Sequence, residues 1–560
     1  MADFFISNEK KQLNQRSLTF NSTNGLSYIQ NNKIIIEVPS ETCPFFDPSS
    51  SYLRCNVKID LNAPAHQYLV QMDPYLGAQI LMKDVRIYNL QGVLLEELVN
   101  VNTLANVMES YSSNQNNQQK AGLTSGQVLH NPNQRTWAAS ETLVEKSRET
   151  NSEFNPWFSK DSTGVVTYNT VPISMKLPGG IFSSDKIYAN GVFSGLRVEI
   201  VLEENRNCFK LLRNATPEAV VATGPEAGDA IYLPVIDHVG AGKEATGFPK
   251  AVGETDIFLG WKNNMVSAET CPFCVGERLD IVENAAVKNI GTIASISWGL
   301  FDAKNQVKIV LAAAYTPTDD IPAGANVYSS SFVNRGAGKD PSYTVSDVSL
   351  VVEQIFPDAG YQSMLQKAMR QKGGLTYDIH CWQNYRASVA KDSVVATVQL
   401  NLLQRMAKAI MVVPVSKMSE TLANNIVDYG GSRNGISGVA DTIQNIQWYY
   451  GREQKFQPDR PVEMDKLSGA DKVYNGQYLA ELMKAMNFFG VPEAHSLLNI
   501  DENIVYPRAL ALMNQVVDLT EGDFQLVANY SAPTEAKLLN CWIAGIRRFT
   551  ATAEGVVVTY

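Results

Sequence analysis

Histidine is scarce in this chain. Five occur among 560 residues, His66, His130, His238, His380 and His495. No two stand at the spacing of a helical ligand pair or a zinc finger, and HExxH is absent, so no imidazole-based active site is expected. Basic clusters are missing too. Lys and Arg total 47 against 57 Asp and Glu, a net charge of -10, which argues against wrapping a nucleic acid by phosphate neutralisation. No sequence-specific nucleic-acid binding is expected. No apolar run reaches the length of a membrane span. The longest clear ones, AIMVVPV near 409–415 and IVLAAAY near 309–315, have strand length, so no transmembrane segment is expected. The opening MADFFISNEKKQLNQRS lacks the apolar core of a signal peptide. Seven cysteines, an odd number thinly spread, do not make a disulfide framework. A soluble chain folded in a reducing compartment is the expectation.

The motifs that come near to chemistry each fail on a specific residue. Cys271 and Cys274 have CxxC spacing, but no second pair follows to complete a zinc site. VGAGKEAT and RGAGKDPS miss the phosphate-loop spacing, with Asp237 and Val333 where the first glycine belongs. Acidic residues also follow Lys243 and Lys339 where Ser or Thr belongs. GGSRNG at 430–435 misses the nucleophile elbow by one residue. No catalytic, cofactor-binding or metal-ligating residue is therefore assigned, no cofactor is expected, and the chain is not read as an enzyme. The competing reading is a carbohydrate-binding or carbohydrate-active β-sandwich. It needs an aromatic cleft, for which Trp137, Trp157, Trp448, Trp542 and Tyr449 are the candidates, and facing carboxylates if it is an enzyme.

What is present is strand periodicity. Leu53, Cys55, Val57, Ile59 and Leu61 alternate with Arg54, Asn56, Lys58 and Asp60, the pattern of a sheet with one dry face. The same alternation runs through 196–202 and 397–402. The stretch 76–112 begins as a strand. After Gln91-Gly92, Leu94, Leu98, Val101, Leu104, Ala105 and Met108 recur at three and four, which predicts an amphipathic helix over 94–110. A second helix is predicted over 472–489 from Val473, Leu479, Leu482, Met483 and Met486. Residues 1–30, rich in Asn, Gln, Ser and Lys, read as an arm outside either core. Residues 112–165 read as a long loop. Residues 210–340 read as a small β-rich insert. Because helices do not alternate with strands, two β-sandwiches in tandem fit better than an α/β fold.

Five stretches carry a family resemblance. GAQILMKDVRIYNLQGVLLEELVNVNTLANVM at 77–108 holds an acidic pair after a leucine (Leu95-Glu96-Glu97) and then Asn102-Thr103-Leu104. VPISMKLPGGIFSSDKIYANGVFSGLRVEIVLE follows at 171–203, then YTVSDVSLVVEQI at 343–355 and IQWYYGREQKFQPDRPVE at 446–463. Near the end stands FQLVANYSAP with LLNCWIAGIRRFTATAEGVVV. In this order they resemble the major capsid proteins of polinton-like viruses, virophages and adintoviruses, within the double jelly-roll lineage of double-stranded DNA viruses. Val101 departs from the pattern, where an aromatic residue is usual. The resemblance implies an all-β chain with a few loop helices, arranged as two tandem eight-stranded jelly rolls. The implied division is an arm at 1–30, a first roll at 31–360 bearing the loop 112–165 and a tower-like insert at 210–340, a linker helix with Gly-Gly at 361–374, and a second roll at 375–560. It also implies a virion protein forming homotrimers with a pseudo-hexagonal outline, which contact neighbouring capsomers, penton and minor capsid proteins in an icosahedral shell. The arm is expected at the inner face of the shell or on a neighbouring capsomer. A minor vertex or fibre component is the alternative within a virion.

Overall fold

The computed structural model describes residues 14–62, 68–73, 76–112, 122–127, 156–160, 166–214, 234–239, 255–261, 278–283, 286–301, 304–314, 327–329, 339–370, 374–390, 393–400, 406–416, 443–450, 461–463, 477–488, 510–511, 518–519, 524–530, 536–552 and 554–559. The chain opens with β1 (Asn14–Asn21), β2 (Ser27–Tyr28), β3 (Lys33–Val38), β4 (Phe46–Asn62), β5 (Tyr68–Met72), β6 (Met82–Tyr88) and β7 (Leu94–Val99). A helix, α1 (Val101–Ser112), precedes β8 (Phe158–Lys160), β9 (Val166–Tyr168), β10 (Thr170–Met175), β11 (Leu196–Leu202) and β12 (Phe209–Asn214). Then come β13 (Pro234–Val239), β14 (Asp256–Trp261), β15 (Arg278–Glu283), β16 (Ala286–Phe301), β17 (Lys304–Leu311) and β18 (Val327–Ser329), followed by the long β19 (Lys339–Phe356) and α2 (Ala359–Met369). The second half runs β20 (Leu375–Val389), β21 (Val395–Leu400), β22 (Ala407–Ser416), β23 (Ile443–Tyr450), β24 (Val462–Glu463), α3 (Gln477–Phe488), β25 (Leu510–Ala511), β26 (Phe524–Tyr530), β27 (Lys537–Thr552) and β28 (Gly555–Thr559).

Strand order identifies the fold. In the first half the sheets read β1-β19-β4-β10 and β3-β11-β6-β7, and in the second β20-β27-β22-β25 and β21-β26-β23-β24. If the eight main strands of each half are counted in chain order, both halves give one sheet as first-eighth-third-sixth and the other as second-seventh-fourth-fifth. That is the jelly roll, twice. The ladders of both rolls are antiparallel. The strands β13 to β18 form a separate six-stranded sheet between the seventh and eighth strands of the first roll. Among the described residues no helix is long and apolar enough to cross a membrane.

The alternating strands behave as their periodicity dictates. Along β4, Leu53, Cys55, Val57 and Ile59 are buried while Arg54 and Lys58 are exposed. Along β21, Ala396, Val398 and Leu400 are buried and their neighbours exposed. In β11 the polar face is itself covered, because Glu199 is held by Lys33 at 2.9 Å and Arg197 at 3.0 Å. The helices α1 and α3 occupy the same place in their rolls, between the fifth and sixth strands.

Three expectations need correction. Residues 94–99 are strand, not helix. β7 pairs with β6 from Asp84↔Val99 to Tyr88↔Leu94, and α1 begins only at Val101. The helical spacing misled because buried residues stand on both faces of β7. Leu95, Glu96 and Leu98 are all buried, which erases the period of two. The break is Asn100, in the left-handed region at φ 55, with its N–H donating to Asp84 Oδ1 at 3.0 Å. Asn100→Val is expected to cost about 1–2 kcal/mol, since a β-branched side chain resists that conformation, whereas Asn100→Gly should be near neutral. Urea unfolding of the two variants checks this.

The second correction concerns the arm. β1 lies along β19 from Asn14↔Phe356 to Asn21↔Ser349, and Tyr28 is buried. An edge strand bonds through its main chain, so its side chains can be polar; only Leu18 and Phe20 pack against the core. Residues 1–13 lie outside the described residues. Third, the segment 112–165 is not wholly loop. β8 pairs with β9, and Trp157 beside it is fully buried. Of the second predicted helix, residues 477–488 are helical, and 472–476 and 489 lie outside the described residues.

Candidate functional site: the seam between the two rolls

No constellation of catalytic type emerges from the placed side chains. Among the described residues no three His, Cys, Asp or Glu gather as a metal would require. Cys43, Cys55, Cys381 and Cys541 are buried free thiols pushed up to about 12 by desolvation, so they stay protonated and unreactive. Cys208 is likewise buried and raised. Cys271, Cys274 and Trp137 lie outside the described residues. Of the aromatic residues proposed for a carbohydrate cleft, Trp157, Trp448 and Trp542 are fully buried. Tyr449 is half-buried on β23. Three of the five are core residues and line no cleft.

Among the described residues, buried polar and aromatic groups converge where the two rolls meet. β7 is the outer strand of its sheet, and an uncovered edge leaves main-chain groups without partners. Side chains of the second roll reach it. Arg547 on β27 donates to the Leu94 carbonyl at 3.2 Å, and Asn384 on β20 donates to the Val99 carbonyl at 3.1 Å and to Asn540 Oδ1 at 3.2 Å.

Glu96 and Glu97 divide their work across β7. Glu97 faces outward and pairs with Arg86 on β6 at 2.8 Å. Glu96 is 1% exposed. Its two carboxylate oxygens accept the backbone N–H groups of Gly180 and Ile181, in the segment 176–195 that joins β10 to β11. Burial pushes this carboxyl up to about 7, against the pull of the two amides and the Arg547 charge.

The second roll also touches the 176–195 segment. The Tyr377 hydroxyl lies 2.9 Å from Ser184 Oγ and 3.2 Å from the Lys186 carbonyl. Tyr188 and Phe193 of the first roll pack against Tyr377 and Phe549 of the second, with ring centroids 5.5 Å apart for Tyr188–Tyr377 and 6.3 Å for Phe193–Phe549. Behind them, Trp542, Ala544 and Phe549 on β27 join the core of the first roll, while Leu539, Cys541 and Ile543 on the same strand belong to the core of the second. The strand is thus a wall between two cores.

A second polar knot holds α1. Asn102 donates to the Ile80 carbonyl at 3.1 Å and to Glu203 Oε2 at 2.7 Å. Glu203 also accepts Asn207 at 3.0 Å, and its carbonyl accepts the Tyr343 hydroxyl. The acidic pair and Asn102 stood out in sequence, but neither Gly180 nor Arg547 nor Glu203 did. Gly180 lies 84 residues from Glu96, Glu203 101 from Asn102 and Arg547 453 from Leu94, and no local pattern announces such a contact.

No protein-family model and no curated protein matches the chain. Among solved structures it is similar to the PBCV-1 virus capsid, at 8% identity over 100% of this chain and 99% of that one, with a TM-score of 0.47. It is also similar to the Faustovirus major capsid protein, at 10% identity over 98% and 92%, TM-score 0.47. The Sputnik virophage structure at 3.5 Å gives 9% identity over 98% and 88%, TM-score 0.42.

Proposed function

We propose that this chain is the major building block of an icosahedral virion shell. Three copies close into a capsomer with a pseudo-hexagonal outline, and capsomers tile around double-stranded DNA, meeting their neighbours and separate penton and minor proteins. The observation that carries this reading is the repeated strand order, first-eighth-third-sixth over second-seventh-fourth-fifth, in two rolls fastened by a dry seam. One chain then supplies two similar wedges in a fixed relation, and three chains supply six around one axis. The resemblance at 77–108, 171–203 and 446–463 supports the same reading. So does the insert of β13 to β18, which leaves one loop of the first roll and adds its own sheet without interrupting the sandwich. A shell protein needs no reaction centre, and no enzymatic role is proposed.

Mass photometry and negative-stain averaging of the purified protein test this. The expected species is three times the 61.7 kDa chain, seen end-on as a hexagon. A monomer or dimer at micromolar concentration would overturn the capsomer. In purified particles the chain should be the most abundant protein; a minor copy number would make it a vertex or fibre component instead.

A further inference from the structure

We propose that the seam between the rolls is proton-gated through Glu96, tightest while that carboxyl is protonated and looser once it ionises. Glu96 is positioned for this by geometry. It stands on the edge strand that the second roll covers, and it holds a turn, Gly179 to Ile181, that lies directly on β20. The fit is close. A Cβ on Gly179 would stand 3.1 Å from Glu96 Oε2, and a Cβ on Gly180 would stand 1.7 Å from the His380 carbonyl oxygen. Any change in how Glu96 holds its two amides is transmitted to that contact.

Few charged or titratable groups face the carboxyl. Arg547 comes from β27 and favours the ionised form. Cys381 comes from β20, but its thiol is itself pushed up to about 12 and is neutral. The 176–195 turn presents only backbone amides, and on β7 itself Glu97 turns away to Arg86. Against Arg547 and the amides stands complete burial, and burial wins: the carboxyl is pushed up to about 7 from an ordinary 4.5. The closed seam therefore binds this proton more tightly than an opened, hydrated one. Its contribution is fully present below about pH 4.5 and is lost as pH rises toward about 7. His380 sits on the same seam with the opposite sign. Its ring is exposed at the rim. Partial desolvation, Lys408 and Lys186 hold it below the ordinary value, so its own, solvent-screened contribution grows as pH rises. The direction of the pH dependence therefore separates the two groups.

Hydrogen–deuterium exchange of the full-length protein between pH 5 and 8, corrected for intrinsic amide chemistry, reads the seam in peptides covering 177–186 and 375–382. The opening constant is expected to rise, approaching tenfold per pH unit between about pH 5 and 7, and to lose that slope in Glu96→Gln. The His380→Gln variant should keep or steepen it. It also provides the test should Glu96→Gln fail to fold, because its amide would face an N–H. A flat profile in the unaltered protein, protection that increases with pH, or an equal slope in Glu96→Gln overturns the proposal.

Discussion

Replacing Gly180 by alanine is expected to force the two rolls apart. The obstacle is a main-chain atom. The new Cβ would sit 1.7 Å from the His380 oxygen, 2.8 Å from its carbonyl carbon and 3.1 Å from Ile379 Cδ1. The carbonyl has little freedom to retreat, because β20 is paired with β27 without interruption from Leu375↔Ala551 to Val389↔Lys537. The turn must move instead. In doing so it draws the Gly180 and Ile181 amides off Glu96 and disturbs the contacts of Tyr377 with Ser184 and Lys186. Each buried hydrogen bond lost to a charged or polar partner costs about 1–3 kcal/mol, so a total of roughly 4 kcal/mol or more is expected, in the range that marks a disrupted core. Gly92→Ala is the comparison. Gly92 has φ +88 and no atom within 4 Å, so alanine there meets only backbone strain of about 1–2 kcal/mol. Thermal unfolding and soluble yield measure both. Equal stability of the two variants would mean that the close approach at Gly180 relaxes without harm.

The parts of the fold that could be read in sequence are those where one face of a strand is wet. β4 and β21 announce themselves because Arg54, Lys58 and Thr397 alternate with buried neighbours. β11 is legible because Arg197 and Glu199 alternate with apolar residues, although ion pairs cover that face. Legibility fails where that contrast fails. β7 has buried residues on both sides, so Leu94 and Leu98, four apart, mimic a helix that starts only after Asn100. β1 errs the other way. As an edge strand it buries little, and NQRSLTFN has the composition of a loose arm although its main chain is paired throughout. The seam was legible only as an unexplained acidic pair. Glu96 acquires its role from Gly180, Ile181 and Arg547, and those contacts follow from how two independently patterned rolls dock. Docking is decided by shape and aromatic packing on β20 and β27, whose buried residues look like any core strand.

The seam should also decide whether the two rolls melt together. Phe549 is fully buried; its ring stacks on Tyr377 and meets Phe193 edge-on, both at 6.3 Å. Phe549→Ala removes that ring from a knot to which the first roll contributes Tyr188 and Phe193. A cavity of this kind costs about 3–5 kcal/mol, including about 0.5–1.5 kcal/mol for each aromatic pair. The loss falls on the coupling between rolls rather than on either sandwich alone. Trp448→Ala is a matched control, equally buried and stacked on Phe524 at 5.2 Å, but inside the second roll's own core. In differential scanning calorimetry the unaltered rolls should unfold in one transition. Trp448→Ala should keep a single transition at lower temperature, since the weakened roll remains fastened to its neighbour. Phe549→Ala should split it in two, with calorimetric enthalpy exceeding the van't Hoff value. If both variants shift one undivided transition by similar amounts, the aromatic knot contributes stability without coupling, and the polar contacts at Leu94, Val99 and Glu96 carry the coupling instead.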